Sequence, residues 1–191
     1  MDTIPINDAL DRGQSCLIIT GAPGSGKSTV SLLVARALTR SALLNGDQLN
    51  EMIVGGRVWA LGQPPDEAAR QVRLCNENLC ALATNFADSG FTPVIDWIIP
   101  DREQLDFYLR ALSPRRILLV VLTPSIDICR RRNITRDPDE QFFFDGYEDL
   151  ISSMRDGFAT VGWWFDTSDL TPDETAMQIV AQAPTLAVPA L

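Results

Sequence analysis

The run Gly21-Ala22-Pro23-Gly24-Ser25-Gly26-Lys27-Ser28, followed by Thr29, fits the pattern G-x-x-x-x-G-K-[ST] at every fixed position. The chemistry such a run can do is phosphate binding. Its glycines permit positive φ, so main-chain N–H groups can turn inward, and a helix starting at its end adds the positive pole of the helix dipole. From there Lys27 can reach the β- and γ-phosphates of a nucleoside triphosphate, and the Ser28 hydroxyl can join a magnesium ion that bridges the same oxygens. Lys27 is the only lysine in the chain, the remaining basic residues all being arginine. A lysine kept where Arg serves elsewhere points to a place that accepts only a slim point charge, and a phosphate cradle is one. The bland alternative is a Gly-rich turn between strand and helix that binds nothing.

Two carboxylates and two arginines can complete a phosphoryl-transfer site. Leu43-Leu44-Asn45-Gly46-Asp47 and Val94-Ile95-Asp96 each carry an Asp at the end of a short apolar run. Asp47 can take or orient the proton of an acceptor hydroxyl, which no histidine in this chain could do; alternatively it caps a helix over Gln48–Val54. Asp96 sits where a carboxylate would hold magnesium through water. Trp97, directly after it, and Trp59, in the Gly55–Pro65 stretch, are candidates for the wall of an acceptor pocket, a core role being the alternative for Trp97. In Cys129-Arg130-Arg131-Arg132-Asn133-x-x-Arg136 the last two arginines are four apart and share a helix face. Arg132 and Arg136 can therefore converge on a triphosphate as charge-stabilising groups, whereas Arg130 and Arg131 suit a solvated helix end.

These residues need a particular scaffold. Ser15–Thr20 and Ser41–Asn45 read as strands around a helix over Ser28–Thr39, so the phosphate loop leaves a strand and enters a helix. Further on the pattern predicts a helix over Glu67–Ser89, a strand over Thr92–Trp97, a helix over Arg102–Leu112 and the strongest strand over Arg116–Thr123. Then come a helix over Ser125–Arg132, one within Tyr147–Thr160, a short strand at Trp163–Asp166 and a last helix from Pro172 to about Gln182. Apolar strands without alternation, separated by helices, imply a parallel sheet covered on both faces, with ligands along the carboxyl ends of its strands. A lid is expected at about 133–145 and a flexible tail at about 184–191.

The 191 residues, 46% of them apolar, suit a single domain. A net charge of −9 disfavours nucleic acid as partner. The apolar runs are too short to span a membrane, and the N-terminus lacks the pattern of a secretory signal, so a cytoplasmic protein is expected. Its four cysteines are expected to be reduced and packed inside or along helices. Without histidine, Ser-His-Asp triads and His-bearing zinc sites are excluded. The chain also lacks the N-K-x-D signature of guanine-reading switches, which favours ATP.

With these motifs in place, the sequence from about Cys16 to Val180 resembles the small P-loop kinases related to chloramphenicol phosphotransferase, gluconate kinase, shikimate kinase and the zeta-toxin kinases. The resemblance implies an α/β/α sandwich of the P-loop NTPase type, with a five-stranded parallel sheet of order 2-3-1-4-5 and a short arginine-bearing lid. By it, Asp47 matches the acid that touches the acceptor hydroxyl, Arg136 a lid arginine, and Arg132 an arginine on the adenine or near the phosphates. The implied activity is transfer of the γ-phosphoryl group of ATP, with Mg2+, to a hydroxyl of a small molecule. The arginine-rich carboxylate site of shikimate kinases has no match, as Arg57 and Arg70 fall in segments the pattern does not place. A polynucleotide 5′-kinase and a regulatory module that binds ATP without turnover are the competing functions.

Overall fold

A computed structural model describes Leu10, residues 13–135 and residues 144–188. Five parallel strands lie in the order β2-β3-β1-β4-β5: β1 (Ser15–Gly21), β2 (Ser41–Asn45), β3 (Thr92–Asp96), β4 (Arg116–Leu122) and β5 (Trp163–Phe165). The expected sheet order is the one found. β1 is buried along its whole length, because neighbours flank both edges and helices cover both faces.

Helices fill the two outer layers. On one face α1 (Lys27–Ala37) and α7 (Pro172–Leu186) pack on Leu17, Ile19, Leu118 and Val120. On the other, α3 (Pro65–Asp88), α4 (Arg102–Ala111) and α6 (Tyr147–Phe158) cover Cys16, Ile18, Leu119 and Val121. Alternate residues of one strand thus serve opposite layers, as the strand period requires. The short α2 (Gly46–Glu51) and α5 (Ile126–Ile134) both begin at the carboxyl edge of the sheet. Helix starts follow local rules: Asp101 caps α4, Ser125 caps α5, and Thr171 with Glu174 forms a capping box on α7.

Of the expected tail at about 184–191, residues 184–188 are described and correct that expectation, while 189–191 lie outside the described residues. α7 continues through Pro184 to Leu186, and Ala187 is fully buried with its carbonyl accepting from Leu119 N–H at 2.7 Å. The cause is the brevity of β5, which pairs only with Val120–Leu122 and leaves the start of the β4 edge to be closed by the end of α7. Cys16, Cys75, Cys80 and Cys129 are all free and buried, and no helix among the described residues is long and apolar enough to cross a membrane.

Candidate functional site

The phosphate loop joins β1 to α1 and is built from tight backbone approaches. A side chain at Gly24 would stand 2.5 Å from the Cys129 carbonyl oxygen, and φ there is 75°, so glycine is demanded by both space and conformation. Gly26, at φ 97°, precedes α1 and offers no side-chain cap, while the first turn of the helix carries no acid. The orphan N–H groups of that turn and the positive helix pole are left for an anion. Lys27 Nζ donates to the Ala22 carbonyl at 3.1 Å, which folds the ammonium back over the loop.

Parallel pairing then brings the second carboxylate to the loop. Asp96 ends β3 beside β1, in register with Ile19 on one side and Asn45 on the other. It is 3% exposed. Burial pushes its carboxyl above the ordinary range; the Lys27 charge and a hydrogen bond from the Ser28 hydroxyl oppose that, Asp47 adds to it, and the Asn45 amide opposes it again. The ionised carboxylate is therefore short of positive charge even with Lys27 at hand. A hard divalent cation shared by Ser28 and Asp96 would supply it, and oxygen donors of this kind suit magnesium.

Asp47 lies exposed in the first turn of α2. The alternative of Asp47 as helix cap does not hold, since the cap is Asn45, whose Oδ1 accepts from Gln48 N–H at 2.9 Å. Gly46 between them is wedged. A Cβ on it would fall 2.0 Å from Trp97 Cε3, and its carbonyl accepts from the Cys75 thiol at 3.4 Å. Trp97 is thus a wall for the backbone that presents Asp47, with its indole N–H buried and unpartnered among the described residues.

On the other side of the loop, Arg132 Nη1 donates to the Ser25 carbonyl at 3.0 Å. Arg132 lines a cavity of about 280 Å³ together with Gly24, Gly26, Thr29, Thr135, Thr167 and Leu170. Thr167 Oγ1 is buried there with no hydrogen-bond partner among the described residues. A second cavity, of about 210 Å³, opens on the α6 side of the loop against Ala22, Met154 and Arg155, whose guanidinium stands 5.3 Å over the Trp164 ring.

The structure gathers Lys27, Ser28, Asp47, Asp96 and Trp97 on one side of the loop and Thr29 and Arg132 on the other. Trp59 is not brought to either cavity; it is 57% exposed on the segment between α2 and α3. Arg70 is occupied by Glu67 at 2.8 Å. Arg130 is exposed at the helix end as expected, and from there it binds Glu148 at 2.9 Å and lies over the Tyr147 ring, tying α5 to α6. Arg136 and most of the expected lid lie outside the described residues. From sequence, Asn45 is missed, and Asp166-Thr167-Ser168 reads only as a strand end that could pass beneath an adenine. The signal for Asn45 is its place one residue before Gly46-Asp47, but its contact with Asp96 depends on strand pairing across 51 residues.

Known proteins give the chain's family and the relatives of its fold. The sequence matches the AAA domain family over residues 17–161. The chain belongs to that family. Among solved structures, its fold is similar to an APS kinase of Mycobacterium tuberculosis in complex with AMPPNP and APS, at TM-score 0.66 and 21% identity over 90% of this chain and 97% of that one. It is also similar to a sugar kinase from Janibacter, at TM-score 0.61 and 16% identity over 91% and 98% of the two chains. A gluconokinase from Sinorhizobium meliloti matches at TM-score 0.56 and 17% identity over 92% and 95%. No curated protein matches the sequence. This AAA-domain chain therefore has the P-loop fold that those kinases share.

Proposed function

We propose that this chain is a kinase that moves the γ-phosphoryl group of ATP to a hydroxyl of a small molecule. The observation that carries the reading is the convergence on one sheet edge of Lys27, Ser28 and the undersupported Asp96 carboxylate, with Asp47 on the adjacent helix. The loop amides and Lys27 hold the β- and γ-phosphates. Ser28 and Asp96 would hold magnesium, which would supply charge neutralisation at the phosphates when bound. Asp47 takes the proton of the acceptor hydroxyl as its oxygen bonds to the γ-phosphorus; the bond from that phosphorus to the β–γ bridging oxygen breaks, and ADP leaves.

Arg132 and, by its spacing, Arg136 stabilise the equatorial oxygens from the lid side. The base sits in the cavity beside Thr167 and Leu170, with Thr29 near the α-phosphate. Trp97 forms one wall of the acceptor site, and Trp59 remains a candidate contact from the segment before α3. Similarity in fold to an APS kinase, a sugar kinase and a gluconokinase supports a small hydroxyl-bearing acceptor without choosing among them. Incubation with ATP and magnesium, with and without a library of alcohols and sugars, tests the activity. Acceptor-dependent ADP release supports it. Tight nucleotide binding with no turnover for any acceptor, or binding untouched by Lys27→Ala, defeats it.

A further inference from the structure

Asn45 is the last residue of β2, opposite Asp96 in the parallel ladder. The two ends of its side-chain amide go to different parts of the site. Nδ2 donates to Asp96 Oδ2 at 2.7 Å, and Oδ1 accepts from Gln48 N–H at 2.9 Å as the cap of α2. The orientation of the amide is fixed by both partners: turned over, it would set a carbonyl against a carboxylate and an NH2 group against an N–H. A short planar group thus spans from the carboxylate beside the phosphate loop to the first turn of the helix that carries Asp47.

The mounting around this bridge is stiff. Gly46 is held between the Trp97 ring and the Cys75 thiol, so α2 cannot shift away from Asp96 without breaking the hydrogen bond from the Asn45 amide or moving a half-buried indole packed on the core. We propose that Asn45 is a positioning residue that couples the metal side of the site to the acceptor side, so that an Asp96 drawn towards a cation fixes the helix presenting Asp47. The proposal rests on the kinase reading above. Either bond by itself would be ordinary, a cap or a strand-end contact. Their occurrence on one amide makes two halves of the site move together, because an amide of this size has no slack to absorb a displacement at one end.

Asn45→Ser separates the two roles, since serine caps a helix as well as asparagine does but is too short to reach across to Asp96. Two measurements are made on the full chain with the ATP analogue AMPPNP, in magnesium and in EDTA: calorimetric affinity and hydrogen exchange of the peptide from Leu44 to Met52. The wild-type chain is expected to bind AMPPNP more tightly with magnesium and to show slower exchange in that peptide only when magnesium is present. Asn45→Ser is expected to lose about tenfold of the magnesium-dependent gain, the worth of one hydrogen bond to a charged group. It should also lose the magnesium-dependent slowing. In an Asp96→Asn background the same substitution should change nothing further. Retention of the magnesium gain and of the slowing in Asn45→Ser overturns the coupling, as does a loss of protection equal in magnesium and EDTA, which marks a cap and nothing more. A wild-type chain that binds no magnesium nucleotide instead brings down the kinase reading, and this proposal with it.

Discussion

Adding one methyl group at Gly46 tests how the acceptor side is built. Gly46 opens α2, where alanine is ordinarily the better residue, by about 0.5–1 kcal/mol in a helix. The added carbon would lie 2.0 Å from Trp97 Cε3, with further ring atoms at 2.4 and 2.8 Å. Ordinary contact begins near 3.4 Å, so the indole or the backbone must give by more than an ångström. The indole is backed by the core layer of α3, and the Gly46 carbonyl is held by Cys75. Overpacking of this severity costs about 3 kcal/mol, which leaves a net loss of about 2 kcal/mol once the helix gain of roughly 0.5–1 is set against it. For a chain of this size that is a fall of about 4–8 °C in the thermal midpoint. A displacement near 1 Å beside the acceptor should also lower turnover by about a hundredfold. Thermal melts of Gly46→Ala in wild-type and Trp97→Ala backgrounds decide it. With the indole gone the same methyl group should be neutral or slightly stabilising, so the sign of its effect reverses. An equal loss in both backgrounds, or a Gly46→Ala chain as stable as wild type, refutes the wedge.

Asp47→Asn should lower turnover by about 10²–10⁴-fold, with nucleotide affinity and thermal midpoint unchanged in calorimetry and melts, because the cap of α2 belongs to Asn45. Thr167→Val keeps the shape but removes a buried hydroxyl without a partner; the free chain should melt about 2–4 °C higher, for a gain on the order of 1 kcal/mol. The same substitution should weaken ATP binding about tenfold by titration if that hydroxyl reads the base. Asp96 has a folded-state pKa raised by burial above its ordinary value. Between those two values the folded chain keeps a proton that the unfolded chain has lost, so stability falls as pH rises across the window. Metal-free wild type should therefore lose stability relative to Asp96→Asn through that window in denaturant titrations, and saturating magnesium should restore it to the wild type alone.

The layers were legible because each strand is a short apolar run with no polar alternation and each helix has its own start signal, such as Asp101 or Thr171. The phosphate loop was legible because its demands are local: glycines where the backbone crowds Cys129, and a lysine within reach of its own turn. Arg132 followed from its position on α5, and it does reach the loop. What escaped depends on pairing between distant segments. Asn45 looks like any polar strand end until β2 is set beside β3 in register. The exposed Arg130 has a partner that sequence could not show, because Glu148 lies in the first turn of a helix on the far side of the lid segment. Trp59 was a reasonable pocket wall by type, yet no packing partner draws it inward from an exposed segment that also carries Val54 and Leu61.

The way α7 finishes has a practical cost for anyone shortening the chain. Arg116 donates to the Pro184 carbonyl and Leu119 to that of Ala187, so these residues act as a doorstop against the rim of β4. A clone stopped before Pro184 would uncover the Leu119 main-chain donor on an apolar strand, a template for pairing with another molecule. Such a truncate should precipitate or form concentration-dependent oligomers, and a shortened chain is best ended beyond Ala187.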